Sequence, residues 1–190
     1  MEHPFIVLLQ IARAFDSLKI KYVVVGSIAS SIHGDYRATA DIDIVAELQA
    51  DGIKPLVELL KNDFYIDELA VRKAVARGRS FNAIHLSAIF KVDVFLPQNE
   101  LAKQQLARRE LHRLSPEHTQ PVWIASAEDT ILAKLHWFRL GEQVSELQWR
   151  DVKGILGTQG SRLDRNYLRS WAERIGVLDL LEQAEQQVAD

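Results

Sequence analysis

Asp41-Ile42-Asp43 sets two carboxylates two positions apart in an alternating run, so a strand here would carry both acids on one face and Ile42 and Ile44 on the other. Two carboxylates side by side raise each other's pKa unless a positive charge lies between them, and a divalent cation is the natural one. A solvent-facing edge that carries two acids is the plain alternative. Asp93 lies in the run Ile89–Leu96, where Phe90, Val92, Val94 and Leu96 form a core-facing row and Asp93 shares the other face with Lys91. A Lys91–Asp93 ion pair on an exposed face is the alternative there. Gly26-Ser27 follows the β-branched run Tyr22–Val25 and precedes a short helical pattern. A helix start offers unpaired N–H groups and the positive end of the helix dipole, both suited to phosphate, although a plain turn has the same composition.

The elements that must position these groups follow from periodicity. Apolar residues at helical spacing predict an opening helix over Phe5–Leu18, then a strand at Tyr22–Val25 and a helix at Ser27–Ile32 capped by Gly34. A polar loop, 35–40, leads to a strand at Asp41–Val45. Helices at 52–62 and 68–76 precede two strands, Phe81–His85 and Ile89–Leu96, joined tightly near Ser87. A helix at Leu101–Arg109 and an irregular stretch with a strand at Val122–Ile124 complete the mixed part. From Ser126 onward the pattern is helical: Ser126-x-x-Asp129 resembles an N-terminal cap, Leu132, Leu135, His136 and Leu140 form one stripe, and helices fit Glu146–Leu156, Asp164–Ile175 and Leu178–Val188. The expected fold is α/β (α+β), a small mixed sheet flanked by helices over residues 1–125, followed by an all-helical segment, 126–190, packed on it. Thirteen residues separate Ser27 from Asp41, room for one short helix and a return loop. The strand with the acid pair is therefore expected beside the strand ending at Gly26, which would put a phosphate cradle next to a carboxylate cluster, as metal-bridged phosphoryl and nucleotidyl transfer requires.

Composition narrows the classes. Hydrophobic residues at 47% and charged residues at 26% exclude a disordered or fibrous chain. No run approaches the roughly 20 apolar residues of a membrane span, and Met1-Glu2-His3-Pro4 lacks the positive region of a secretory signal. The absence of cysteine excludes disulfides, thiolate metal sites and a cysteine nucleophile, fits a cytoplasmic protein, and leaves oxygen or imidazole as metal ligands. Net charge is −3, yet residues 70–113 hold nine basic side chains against three acids. That run is a solvated face or a surface for a polyanion.

Gly26-Ser27, then Arg37-x-Thr39-x-Asp41-x-Asp43, then Asp93 on a later strand, resembles the polymerase-β-type nucleotidyltransferase superfamily, and within it the AbiEii-like group, which includes toxins of bacterial toxin–antitoxin and phage-defence systems. The match spans about Lys21 to Leu96. Glu128-Asp129-x-x-Leu132-x-Lys134-Leu135, followed by Arg150-Asp151, resembles that group's third motif more loosely. The resemblance implies that Asp41, Asp43 and Asp93 hold two Mg²⁺ ions, with Asp93 also helping to deprotonate the attacking hydroxyl. It implies too that Gly26 and Ser27 hold the β- and γ-phosphates, and that Arg37 faces the triphosphate unless it pairs with Asp35 or Asp41. Lys134 and Asp151 are looser counterparts: Lys134 reaches a phosphate or is simply exposed, and Asp151 orients Lys134 or a substrate group, or starts its helix turn. Thr39 belongs to the same motif. Phe95-Leu96-Pro97-Gln98 stands where the family has further acids, a departure that bears on substrate chemistry more than on metal binding. His33 either contacts substrate or packs at a helix end, and the spacings of Trp123, Trp137, Trp149 and Trp171 predict core packing.

The expected activity is transfer of a nucleoside monophosphate from a triphosphate to a hydroxyl acceptor with release of pyrophosphate. The acceptor is an RNA 3′ end such as that of tRNA, as in the toxins, a small molecule such as an antibiotic, or a protein side chain. A cognate antitoxin protein is an implied partner of the first reading. A catalytically inert binding module of the same fold is the competing class.

Overall fold

A computed structural model of the chain describes residues 4–115 and 118–189; the reading of the N-terminal Met1-Glu2-His3 falls outside them. Two compact units emerge, one from residues 1–25 and 39–124 and the other from 26–38 and 125–190.

The first unit is built on a seven-stranded sheet. Its elements in chain order are α1 (Pro4–Ser17), β1 (Tyr22–Val24), then β2 (Asp41–Ala46), α3 (Ile53–Leu60), β3 (Phe64–Tyr65), α4 (Glu68–Ala76), β4 (Phe81–His85), β5 (Phe90–Phe95), α5 (Glu100–Ala107), β6 (Glu110–Ser115) and β7 (His118–Ile124), with α2 (Gly26–His33) belonging to the other unit. The strand order is β3-β4-β5-β2-β1-β7-β6. β2 runs parallel to β5 and β1 parallel to β7, while the remaining neighbours are antiparallel. The mixed sheet agrees with the expected class.

Alternation explains which face is core. Ile42, Ile44, Ala83, Val92 and Val94 are fully buried, and Val7, Leu8, Ile11 and Phe15 of α1 are buried in the same unit. Helix starts are capped as their sequences allow: Asp67 accepts from the Leu69 and Ala70 amides before α4, and Asn99 accepts from Ala102 before α5. Each such cap contributes about 1 kcal/mol. β3 and β6 are additional to the expected strands, and β7 extends the expected Val122–Ile124.

The second unit is helical: α2, α6 (Ala127–Leu140), α7 (Glu146–Gln159), α8 (Arg165–Arg174) and α9 (Leu178–Ala189). α2 packs against α6 and α7, α6 also against α8, and α9 against α7 and α8. Ser126, Ser145 and Asp164 cap α6, α7 and α8 through their side chains. A half-buried polar network fastens α8 to the start of α6: Tyr167 donates to Asp129 at 2.5 Å, and the Asp164 amide donates to Glu128 at 3.0 Å. The apolar stripe expected on α6 ends early. Leu132 and Leu135 are fully buried, but Leu140 and Trp137 are exposed, and none of the four tryptophans is fully covered. No helix among the described residues is long and apolar enough to cross a membrane.

Gly34 does not serve as a left-handed cap. Positive φ occurs instead at Gly26, Gly78, Gly160 and Gly176 among the glycines. What requires glycine at 34 is close approach, because a Cβ there would lie 2.8 Å from the Ile155 nitrogen and 2.9 Å from the Gly154 carbonyl carbon, both backbone atoms of α7. Gly34→Ala is therefore expected to push α2 off α7 and to cost about 1–3 kcal/mol. Thermal unfolding checks this, and an unchanged midpoint would show that the two helices can separate freely.

Candidate functional site

β2 and β5 lie side by side in parallel register, with Asp43 opposite Asp93 and Asp41 opposite Lys91. Residues opposite each other share a face. The alternation that buries Ile42, Ile44, Val92 and Val94 thus turns all three carboxylates to the other side, where each is half-buried. Carboxylate oxygens of Asp41, Asp43 and Asp93 lie within 4.8 Å of one another. The Thr39 hydroxyl donates to the Asp41 carboxylate and to its own strand's backbone carbonyl at Asp41, both at 3.1 Å, which fixes the rotamer at the head of β2.

Lys91 Nζ is 2.6 Å from Asp93 Oδ2. The hydrogen bond to Asp93 raises the Lys91 pKa, with further help from the charges of Asp93, Asp41 and Asp43. Three carboxylates and one ammonium leave a formal charge of −2, which one divalent cation would neutralise. All-oxygen donors converging from two rigid strands suit Mg²⁺ or Mn²⁺, and the donor set fits the ion expected from the sequence.

The second unit gathers the other anticipated residues. Gly26 has φ 63°, and this left-handed residue lets the chain pass directly from β1 into α2. Ser30 returns a hydroxyl to the Gly26 carbonyl at 3.0 Å, while the first amides of α2, an anion-binding terminus by position, have no carbonyl within the helix to serve. Arg37 Nη2 donates to Ser27 Oγ. With that lone pair engaged, the Ser27 hydroxyl hydrogen is directed elsewhere, as a phosphate donor would be.

Arg37 is anchored from behind. Its Nε lies 3.0 Å from Asp151 Oδ1 and its Nη2 3.2 Å from Asp151 Oδ2, while Lys134 Nζ reaches the same Oδ2 at 2.8 Å. The side chains of Asp151 and Lys134 are only 4% and 7% exposed. Burial pushes the Asp151 pKa up, but hydrogen bonds from Arg37 and then Lys134 outweigh it, so the carboxyl titrates below its ordinary value. Two cations against one anion leave this cluster at +1.

These contacts place several of the residues singled out in the sequence. Arg37 pairs with Asp151, which is neither of the partners considered for it. Lys134 is buried, and Asp151 sits inside α7 rather than at its start. His33 is buried at the end of α2, with Nε2 2.7 Å from the Ala125 carbonyl oxygen. Sequence reasoning missed Asn82, Ile84 and Tyr65, which continue the carboxylate-bearing face outward: Asn82 lies opposite Asp93, Ile84 opposite Lys91, and Tyr65 opposite Ile84. Counting back from the expected turn near Ser87 would have found the first two.

No protein-family model and no curated protein sequence matches this chain. Solved structures do. An antigenic nucleotidyltransferase-like protein from Paracoccidioides brasiliensis aligns with a TM-score of 0.58 at 17% identity, over 94% of this chain and 91% of its own. ANT(2″)-Ia, solved with adenylyl-2″-tobramycin, aligns at 0.53 and 12% identity over 88% of this chain and 96% of its own. A candidate nucleotidyltransferase from Thermotoga maritima aligns at 0.51 and 17% identity over 80% and 96%. At these identities the likeness is one of fold, and the fold of this chain is the nucleotidyltransferase fold.

Proposed function

We propose that the protein is a magnesium-dependent nucleotidyltransferase that moves a nucleoside monophosphate from a triphosphate such as ATP to a hydroxyl acceptor. The observation that carries this reading is the convergence of Asp41, Asp43 and Asp93, from two adjacent parallel strands, to within 4.8 Å. Without a cation such a cluster costs electrostatic energy, and the fold nonetheless holds it half-open to solvent. Asp41 and Asp43 hold two Mg²⁺ ions, and Asp93 holds one of them and accepts the proton of the attacking hydroxyl. When bound, the ions supply positive charge to the attacking and leaving oxygens of an in-line displacement. The α2 amides beyond Gly26 and the Ser27 hydroxyl take β- and γ-phosphate oxygens. Arg37, pinned by Asp151, orients Ser27 and adds positive charge, and Lys134 keeps Asp151 in place.

Within the superfamily, the spacing from Gly26-Ser27 through Arg37, Thr39, Asp41 and Asp43 supports the AbiEii-like group, and with it an RNA acceptor such as a tRNA 3′ end, a cytoplasmic setting and a cognate antitoxin partner. The likeness to ANT(2″)-Ia supports a second reading, a small-molecule acceptor of the antibiotic type. Incubation with labelled triphosphates, Mg²⁺, total RNA and a panel of small hydroxyl compounds separates them. Label in RNA is the expected result, and label in a small compound favours the second reading. Triphosphate binding without label in any acceptor would leave an inert binding module and overturn the enzyme reading.

A further inference from the structure

Lys91 shares the carboxylate-bearing face, and the carboxylates are what hold it there. Its Nζ is 2.6 Å from Asp93 Oδ2. Toward β2 it stands opposite Asp41, with Asp43 next on the same face, and the charges of both also attract it. Toward β4 its register neighbour is Ile84, with Asn82 next, and neither carries a charge. The Lys91 side chain is 48% exposed, so its flexible stem can turn into solvent without opening the core. Charge then decides how many ions the cluster accepts. With Lys91 in place the three carboxylates and the ammonium sum to −2, which one divalent ion cancels. A second ion would bring the sum to +2, and its attraction to Asp93 would be opposed at close range by the ammonium on the same carboxylate. Entry of that ion needs the departure of Lys91 and a further source of negative charge, and a triphosphate supplies the charge.

We propose that Lys91 keeps the place of the second metal ion: it occupies Asp93 while a single ion sits among the carboxylates, and it leaves Asp93 when a triphosphate brings the charge that lets a second ion enter. The inference rests on the nucleotidyl-transfer reading and deepens it, because it makes the complete metal set conditional on bound substrate. Asp93, engaged by an ammonium until then, becomes available to accept the proton of the attacking hydroxyl only when the triphosphate is in place. Metal and triphosphate are thereby coupled, each raising the affinity for the other, and Lys91 sets the size of that coupling.

The test counts ions and needs no turnover. Equilibrium dialysis of the full chain against Mn²⁺, with and without an ATP analogue whose α–β bridge is a methylene, gives the number of ions bound per chain. Wild type is expected to hold one ion without the analogue and two with it. Lys91→Met is expected to take up two ions even without the analogue, the first of them about 10-fold more tightly than wild type does, because the opposing charge is gone. Lys91→Arg keeps that charge and should follow wild type. The wild-type counts do not depend on any variant folding. Wild type that takes two ions without the analogue, or folded Lys91→Met that still stops at one, would overturn the role of Lys91 and leave the transfer reading standing. Wild type that binds neither Mn²⁺ nor the analogue would bring down the transfer reading itself.

Discussion

Asp43→Asn is expected to lower nucleotidyl transfer by about 10³-fold or more, roughly 4 kcal/mol of transition-state stabilisation, while leaving the metal-free fold at least as stable as wild type. The two halves of this prediction have one origin. Asp43 stands directly opposite Asp93 on neighbouring parallel strands, with Asp41 two residues away on the same face. Like charges facing each other across a sheet are destabilising, so an amide at 43 removes repulsion when no cation is present. The same change takes away a ligand that two metal ions would share, and leaves a weaker, misdirected set behind. Thermal unfolding with and without Mg²⁺ separates the effects from any question of acceptor. Wild type should gain stability with added Mg²⁺ in proportion to the logarithm of its concentration, and Asp43→Asn should not. A variant that kept full activity, or that kept the Mg²⁺-dependent gain, would show that the ions are bound elsewhere.

The sheet face that makes this prediction possible was partly readable from the chain. β2 alternates cleanly, with Asp41 and Asp43 set against Ile42 and Ile44, because one side of the strand is core and the other is not. The same holds for β5, so each strand's acid-bearing face was visible by itself. Their pairing was not. β2 and β5 are parallel neighbours separated in sequence by α3, β3, α4 and β4, and no local residue preference specifies which distant strand lies alongside. Only the resemblance of the motif spacing placed Asp93 beside the pair. β3 has two residues and β6 is an outer strand of mixed polarity, too short or too polar for a period-two pattern to register. Tyr65 stayed out of view for that reason.

The helical part was legible in its elements and not in its interior. α6 is enclosed by α2, α7 and α8, so polar residues around much of its circumference, Glu128, Asp129, Thr130 and Lys134, are buried, and the solvent-exposed residues collect near its C-terminal end. A periodicity argument assumes one wet face along the whole helix and so assigns Lys134 to water and Leu140 to the core. Nor does sequence show that 26–38 packs with the C-terminal helices, an association made by residues far apart in the chain, among them Arg37 with Asp151 and Gly34 with the α7 backbone.

The buried charges in that interior carry the largest stability effect expected of this chain. Asp151→Asn leaves the Lys134 ammonium, only 7% exposed, and the Arg37 guanidinium without their shared counter-charge. Removing one partner of a buried pair costs about 3–5 kcal/mol, and for a chain of this length that lowers the melting midpoint by roughly 10 °C. Replacing the group as a whole is different. Lys134→Met combined with Asp151→Leu removes both buried charges together and should recover most of the loss, although Arg37 is then free to swing away from Ser27. Acid sharpens the contrast. Because the folded-state pKa of Asp151 lies below its ordinary value, the carboxylate's contribution is complete above the unfolded value of about 3.9 and is lost as pH falls through the folded one. Wild type should therefore lose more stability than Asp151→Asn between about pH 4 and strongly acid conditions, and the two curves should converge. Far-UV circular dichroism across temperature and pH reads both effects. Parallel pH curves, or a midpoint for Asp151→Asn within a degree or two of wild type, would mean that water already solvates Lys134 and that Asp151 does not hold Arg37 in place.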